Sequence, residues 1–462
     1  MNSYVVFRKM ELACFIFFVC NTVVVNAQSP TFKTLRFEED YSWLRNDSIW
    51  SFYSRIKHLP FGRQGHLSLG GDARYQYFKI ENEDWGETLE SSDGFLLARH
   101  LLYANVQVGR GWRIFGQLQS GVTAGKQVVN SVDENILELH QIFIDYRFNL
   151  DSKSRVVLRL GRQEVQYGGQ RLVSVRNGPN TRQSFDGIST SVIFPNTTLD
   201  FFSHCLVRSQ RGAFNDNFSS AVKIWGSYIT RMNVPVFGNV DIYYIGVQKP
   251  HSQLDDGVGR EMRHSFGTRV WKNKGRLKSD VEAVFQGGKL ADRRIRAWTV
   301  SFNTSYTFEH SKFTPQLGLK TEFISGNRRY DDMTVETFNP LFPSGAYFGL
   351  AAPFGPSNMF DVHPSVSLSL NRKLTWYLDY DVFWRAEKSD GIYTNNTTLI
   401  YTGRGNSHRF IGQQFSTDFL YSFCAFASAT AEFKWFDAGP FLKAAGQGKD
   451  VLFLAFTIQC IF

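Results

Sequence analysis

The sequence predicts an all-β fold, a closed antiparallel barrel that crosses a membrane. Three observations point there: an alternating apolar row at the end of the chain, a leader of the kind that directs export, and no apolar window suited to a spanning helix. The last twelve residues, Val451 to Phe462, read VLFLAFTIQCIF. Leu452, Leu454, Phe456, Ile458, Cys460 and Phe462 share one parity, and Thr457 and Gln459 lie on the other. A period of two sets one row against hydrocarbon and turns the other toward an interior. A last strand of this kind is expected to pair back to the first.

At the other end, Arg8 and Lys9 precede an apolar run from Leu12 to Val25, and Val25-Asn26-Ala27 places small residues before Gln28. Residues 1–27 are therefore expected to be a signal peptide cleaved after Ala27. Asn21 and Thr22 interrupt the run, which is too short for a spanning helix. Cys14 and Cys20 lack a convincing lipobox, which disfavours a lipid anchor. Downstream, aromatic residues make up 16% of the chain, with 43 Phe, 38 Gly and 13 Pro. An aromatic-rich chain without helical spans suits alternating strands joined by glycine turns.

Without the leader, 49 basic residues face 41 acidic ones, a net of +8. That excess suits an exterior facing anionic lipid or lipopolysaccharide, or a lumen that attracts anions. Cys205, Cys424 and Cys460 are odd in number and far apart, with neither metal spacing nor a disulfide framework. Cys460 reads as a small lipid-facing residue.

The terminal pattern recurs along the chain. Trp376, Leu378, Tyr380, Val382 and Trp384 alternate with Tyr377, Asp379, Asp381, Phe383 and Arg385. Ile142, Ile144, Tyr146 and Phe148 alternate with Phe143, Asp145 and Arg147; Trp112, Ile114 and Leu118 alternate with Arg113, Phe115, Gln117 and Gln119. Leu317, Leu319 and Phe323 oppose Gln316, Lys320 and Glu322, and Leu67, Leu69, Ala73, Tyr75 and Tyr77 oppose Asp72, Arg74 and Gln76. A lipid-facing row leaves no room for unpaired backbone, so the sheet must close. At about 24 residues per strand and connection, residues 65–462 would hold roughly 16 to 18 strands. A barrel that wide is expected to enclose an aqueous channel. Residues 28–64 are less regular and are expected on the periplasmic side, before the barrel of residues 65–462. No second domain is evident.

Two blocks carry the candidate chemistry. Leu158–Gly187 reads as a strand, a glycine turn and a cationic connection, with Arg159, Arg162, Arg171, Arg176 and Arg182 within 24 residues and Glu164 and Asp186 among them. A charge on the lipid face costs about 2–4 kcal/mol at mid-bilayer, so most of these should face the lumen or a mouth. The planar guanidinium pairs with carboxylates through two parallel bonds. A ladder of such forks offers successive sites, each weak enough to leave. Glu164 and Asp186 would moderate the field. The competing reading is a structural ion-pair network. Arg74, Arg113 and Arg385, with Arg99, Arg147 and Lys320, are further lumen candidates by strand parity or neighbouring sequence.

The second block, FNPLFPSGAYFG at Phe338–Gly349, contains Pro340 and Pro343 and cannot be a central strand. It reads as a loop folded into or over the lumen. Tyr347, Phe342 and Phe348 are better suited to packing that loop on the wall than to stacking on sugar rings.

These blocks, with LRFEEDYSWLRN at Leu35–Asn46, the strand LSLGGDARYQY at Leu67–Tyr77, and Asn358, Asp361, His363 and Pro364, resemble the alginate export family of outer-membrane proteins. The resemblance runs from the end of the leader to Phe462. It implies an 18-stranded barrel, a narrowed electropositive lumen that passes an anionic uronate polymer without energy input, and loops or turns that gate the mouths. Where the family often carries a Glu-x-Arg pair in its first strand, this chain has Asp72 and Arg74.

No catalytic, metal or cofactor motif competes. Ala444–Asp450 lacks the first glycine and the Ser or Thr of a phosphate loop, and no HExxH or GxSxG occurs. His140, His363 and His408 read as ordinary polar residues, and Asp379 and Asp381 as partners for lumen arginines. The expected function is a passive outer-membrane channel for an anionic polysaccharide or its oligomers. A porin for small anionic solutes or sugar acids is the alternative, and a barrel enzyme or structural adhesin a more distant one. Expected partners are the lipid bilayer, lipopolysaccharide and periplasmic polymer-secretion proteins, not nucleic acid.

Overall fold

The computed structural model describes residues 32–46, 52–62, 64–88, 94–345, 347–350 and 354–462; the expected signal peptide lies outside them. Eighteen of the described strands form a closed antiparallel barrel. In chain order they are β1 (Gly65–Glu81), β2 (Phe95–Val108), β3 (Trp112–Ala124), β4 (Asn135–Asn149), β5 (Arg155–Gln163) and β6 (Phe185–Phe194). Then follow β7 (Thr197–Arg208), β8 (Asn217–Val234), β9 (Gly238–Leu254), β10 (Gly257–Lys272), β11 (Leu277–Leu290) and β12 (Arg293–Thr307). The last six are β13 (Gln316–Ile324), β14 (Met359–Ser369), β15 (Leu374–Arg385), β16 (Phe410–Cys424), β17 (Ala427–Ala438) and β18 (Val451–Ile461). The terminal strand pairs with the first as its sequence suggests: Ile461 lies opposite Asp72, and Gly71 and Phe462 exchange backbone bonds of 2.9 and 3.0 Å.

The connections differ at the two ends. Beside Phe462 they are short, as at Pro195-Asn196 and Ala425-Phe426; at the other end they include 164–184, 325–358 and 386–409. Outer-membrane barrels keep short turns on the periplasmic side and long loops outside, which orients the chain.

Parity sorts the two faces. In β3, Ile114 and Leu118 are exposed while Arg113, Phe115, Gln117 and Gln119 are buried against the bore. Aromatic belts mark both membrane boundaries. Trp112 meets Tyr146 at 4.6 Å and Trp376 stacks on Phe419 at 5.7 Å on the periplasmic side. Phe323, Phe360 and Trp384 stack at 4.5 and 5.3 Å on the other. Cys460 keeps the outward parity but is only 4% exposed, sitting between Ala73 and Ala427.

The structure sharpens two expectations. First, residues 35–39, expected on the periplasmic side, enter the periplasmic end of the bore. Phe37 sits edge-on to Phe143 at 5.2 Å and to Phe115 at 5.9 Å, both on the inner wall. Arg36 binds Glu39 at 2.8 Å and donates to the carbonyl oxygens of Gly71 and Phe462 at 3.2 and 2.9 Å. Second, the bore is not simply an open aqueous channel. The connections 164–184 and 325–358 fold into it and meet: Ser174 N donates to Phe342 O, and Phe342 N to Leu172 O, both at 2.9 Å. Leu172, Val173, Phe185, Phe338, Leu341, Phe342, Phe348 and Phe354 make an apolar core between these loops and the wall. An eighteen-strand wall leaves width to fill, and irregular backbone at membrane depth is stable where protein buries it. The proline-containing block is thus the inward loop its sequence suggests, with Phe342 and Phe348 serving as packing.

Candidate functional site: the bore

The site is the inner wall and what the infolded loops leave open. Just above the periplasmic segment lies a chamber of about 840 Å³. Its lining includes Arg113, Arg147, Arg155 and Arg159 from β3, β4 and β5, with Lys33, Glu38 and Asp40 from the segment below and Asp200 opposite. Asp145 is its hub. Fully buried, it binds Arg159 through two bonds of 2.8 and 3.2 Å, contacts Arg113, and lies 4.0 Å from Arg147. The Arg159 guanidinium also lies over the rings of Phe37 and Phe143 at 4.0 and 4.1 Å. Arg155 has no ion pair among the described residues. Beside the chamber, Lys57 of helix α1 (Phe52–Lys57) donates to the Tyr103 hydroxyl at 2.9 Å within a ring of Tyr41, Tyr53 and Tyr103. Burial, helped by nearby Arg36, lowers the Lys57 ammonium to about 7.

Higher up, the 164–184 loop is held by arginines that bond to its backbone. Arg74 donates to the carbonyls of Asn177, Gly178 and Pro179 at 2.7, 3.0 and 2.8 Å. Arg99 reaches the carbonyl and side-chain oxygens of Asn177 at 3.0 and 2.9 Å, with Asp72 at 3.7 Å. Such a stretch has no ladder partner, and these forks donate to its orphaned carbonyls. Arg182 pairs with Glu164 at 2.8 Å and donates to Thr34 O at 3.0 Å, while His140 also binds Glu164 at 2.8 Å. Arg176 adopts a left-handed backbone, at φ 54°. No hydrogen bond or ion pair engages its guanidinium among the described residues, and burial without a carboxylate nearby lowers it to about 10. Across the Val173–Phe342 contact, Lys249 lies 5.7 Å from the Phe342 ring, also without an ion pair.

The opposite wall is different. Arg171 lies among Glu282 at 2.8 Å, Glu322 at 3.2 Å and Asp280 at 3.5 Å. Arg269 binds Asp280 and Asp241 at 2.6 and 3.1 Å, and Lys320 lies 3.8 Å from Glu322. Tyr347 donates to Glu322 at 2.9 Å. Asp379 and Asp381, expected to serve arginines, meet other groups. Asp381 contacts His363 and accepts from Gln414 at 2.9 Å. His363, Asp379 and Asp381 bring ligand-type atoms within 4.8 Å of one another, the one such group among the described residues. Arg385 is drawn to the extracellular loops, donating to the carbonyls of Lys388, Asp390 and Asn406 and lying 4.1 Å from the Phe441 ring.

Arg162 and Asp186 do not face the bore. Arg162, itself half-buried, lies opposite exposed Ile142 and shares the parity of exposed Leu158 and Leu160; Asp186 shares that of exposed Ile188. They pair with each other at 2.9 and 3.2 Å at the extracellular end of β5 and β6. Near the interface the cost of a charge on the lipid face shrinks, and the paired carboxylate reduces it further. Asp145, Arg155, Lys249 and Arg269 were missed. Arg147 and Asp145 already alternated with an apolar row, and that parity was the available signal.

Residues 66–450 match the family model described as alginate export. No curated protein matches the chain at a significant level. Among solved structures, the fold is similar to Pseudomonas aeruginosa OccK11 (OpdR), at 11% identity and TM-score 0.56, covering 88% of this chain and 99% of that one. It is similar to Pseudomonas aeruginosa OccK2 (OpdF) in complex with glucuronate, at 10% identity and TM-score 0.54, covering 86% and 98%. Pseudomonas aeruginosa OpdK with vanillate aligns at 9% identity and TM-score 0.55, again covering 86% and 98%. At such identities these structures share the fold alone, that of outer-membrane porins. Together with the strand closure and the two aromatic belts, these findings make the chain a member of the alginate export family, a channel-type barrel of the bacterial outer membrane.

Proposed function

We propose that this barrel is a passive channel for an anionic, uronate-containing saccharide, guided along the wall formed by β1 to β6. The observation that carries the reading is a set of bore-facing cations without a carboxylate within ion-pair distance: Arg74 and Arg155 on that wall, Arg176 on the infolded loop 164–184, and Lys249 on β9. Sugar carboxylates entering the chamber would meet Arg155 and Arg147, pass Arg182 and Arg99, and leave beside Arg176. At Arg147, Arg182 and Arg99 a permeant carboxylate would compete with an existing carbonyl or carboxylate partner, which keeps binding weak enough for release. The Val173–Phe342 contact crosses this route, so passage of a chain would require the two infolded loops to part there.

A second reading, a porin for small anionic solutes or sugar acids, is favoured by the limited volume of the chamber, about 840 Å³. The glucuronate and vanillate named with two fold neighbours are chemically of that kind. Chloride flux through the purified barrel in vesicles separates the readings. Polyuronate should inhibit it while neutral dextran of equal length does not; block by monomeric uronate alone would favour the small-solute porin. Equal inhibition by polyuronate and dextran would remove carboxylate recognition altogether.

A further inference from the structure

On the outside of the barrel, cations gather where the bore-facing reading does not use them. Arg260 on β10, Lys289 on β11, and Arg294 and Arg296 on β12 are exposed at the extracellular end. Their chain neighbours Glu261, Leu290, Ile295 and Ala297 are buried toward the bore, which fixes these four on the outer face. Lys289 lies directly opposite Arg294, and the Arg260 carbonyl accepts from Ala291 N at 2.9 Å, beside the same hairpin. None of the four has an ion pair among the described residues. On the bore side of the same strands the charges are matched: Arg263 contacts Glu261 and Arg293 binds Asp256 at 2.7 Å. Like charges directly opposite in a strand pair destabilise it unless an anion covers them.

Their height on the wall identifies the anion. Phe266, Phe285 and Trp298 lie in register across β10, β11 and β12 and are all exposed, an aromatic girdle at the hydrocarbon boundary. Arg296 is two residues above Trp298, about 7 Å along the strand, at the level of lipid phosphates. Adjoining this row, a cavity of about 430 Å³ opens on the outer face, walled by Trp298, Phe323, Phe360 and Trp384 and rimmed by Arg328 and Arg409, whose charges are matched by Glu336 and Glu387.

We propose that this face docks a phosphorylated acyl glycolipid of the outer leaflet, of the lipid A type. Its phosphates lie on Arg260, Lys289, Arg294 and Arg296, and an acyl chain fills the aromatic cavity. The two halves of the surface, cationic above and apolar below, match the two halves of such a lipid in the same order.

The test uses the full barrel, refolded in detergent without lipid, and reads the shift in its thermal midpoint on titration. Diphosphorylated lipid A, dephosphorylated lipid A and inorganic phosphate are the probes. The wild type should respond to diphosphorylated lipid A, far less to the dephosphorylated form, and not to millimolar inorganic phosphate. The variant K289Q/R294Q/R296Q should weaken that response about a hundredfold, from about a fivefold contribution per surface charge. R260Q alone, a milder change, should weaken it about fivefold. K274Q, in a periplasmic turn, should leave it unchanged. An unaltered response in the triple variant, equal responses to both lipids, or an equal loss in K274Q would overturn the proposal.

Discussion

The two walls of the bore hold their arginines in opposite ways. On β1 to β6, Arg113, Arg147 and Arg159 share the one carboxylate of Asp145, and Arg74 and Arg99 chiefly grip neutral oxygens of residues 177–179, so positive charge is left in excess. On β11 to β14, carboxylates predominate: Glu282 and Glu322 take up Arg171, and Asp361 is fully buried with both carboxylate oxygens unpartnered. A count of arginines would treat these walls alike, yet what each guanidinium bonds decides whether it adds to the field. The resulting field points across the bore, and an anion should follow the first wall.

Removing Arg171 gives the largest expected effect. Arg171→Gln leaves Glu282, Glu322 and Asp280 without their shared cation, and breaking such a buried cluster costs about 3–5 kcal/mol. The denaturant midpoint of refolded protein should fall accordingly, and residual channels should shift toward cations. An unchanged midpoint would mean that the second wall does not depend on this charge.

Next comes the first wall itself. In the pair Arg74→Gln and Arg99→Gln, the carbonyls of Asn177 to Pro179 lose their donors, at about 1–3 kcal/mol for each group left unsatisfied. The inner loop should loosen, so that single-channel conductance rises while anion preference falls. Conductance that stays level would show that the loop is held by its apolar core alone.

Arg176→Gln sharpens the comparison because its guanidinium has no partner to orphan. Thermal stability should change by no more than about 0.5 kcal/mol, while anion preference in bilayers declines. A clear stability loss without a selectivity change would assign Arg176 a structural role instead.

The smallest expected effect lies in the extracellular loops. Burial raises the Asp390 carboxyl to about 6, against hydrogen bonds from the Thr337 hydroxyl and the amides of Asn327 and Gly391. Because the folded value lies above the ordinary one of about 3.9, the neutral form stabilises the loop fully below about pH 4. That contribution is lost as pH rises through 6. Thermal midpoints at pH 4.5 and 7.5 should show a smaller difference in Asp390→Asn than in the wild type.

Strand parity was legible because a buried and a lipid-facing row leave a period of two in the residues themselves, as in Trp112–Gln119. Closure of β18 on β1 was legible for the same reason. The same signal could have placed Arg162 outside, since Leu158 and Leu160 share its parity; the density of arginines in that block obscured it. The clamps on residues 177–179 were not legible. Arg74 and Asn177 are 103 residues apart, and no local pattern links a guanidinium to a backbone carbonyl at that distance. Nor could periodicity place Phe37 between Phe115 and Phe143, because the segment that carries it is neither strand nor long helix.

Reversal potential across a planar bilayer under a potassium chloride gradient tests the central claim most directly. A bore with unmatched cations on the β1 to β6 wall, on the loop 164–184 and on β9 should pass chloride in preference to potassium. Preference for potassium in the unmodified protein would contradict the account.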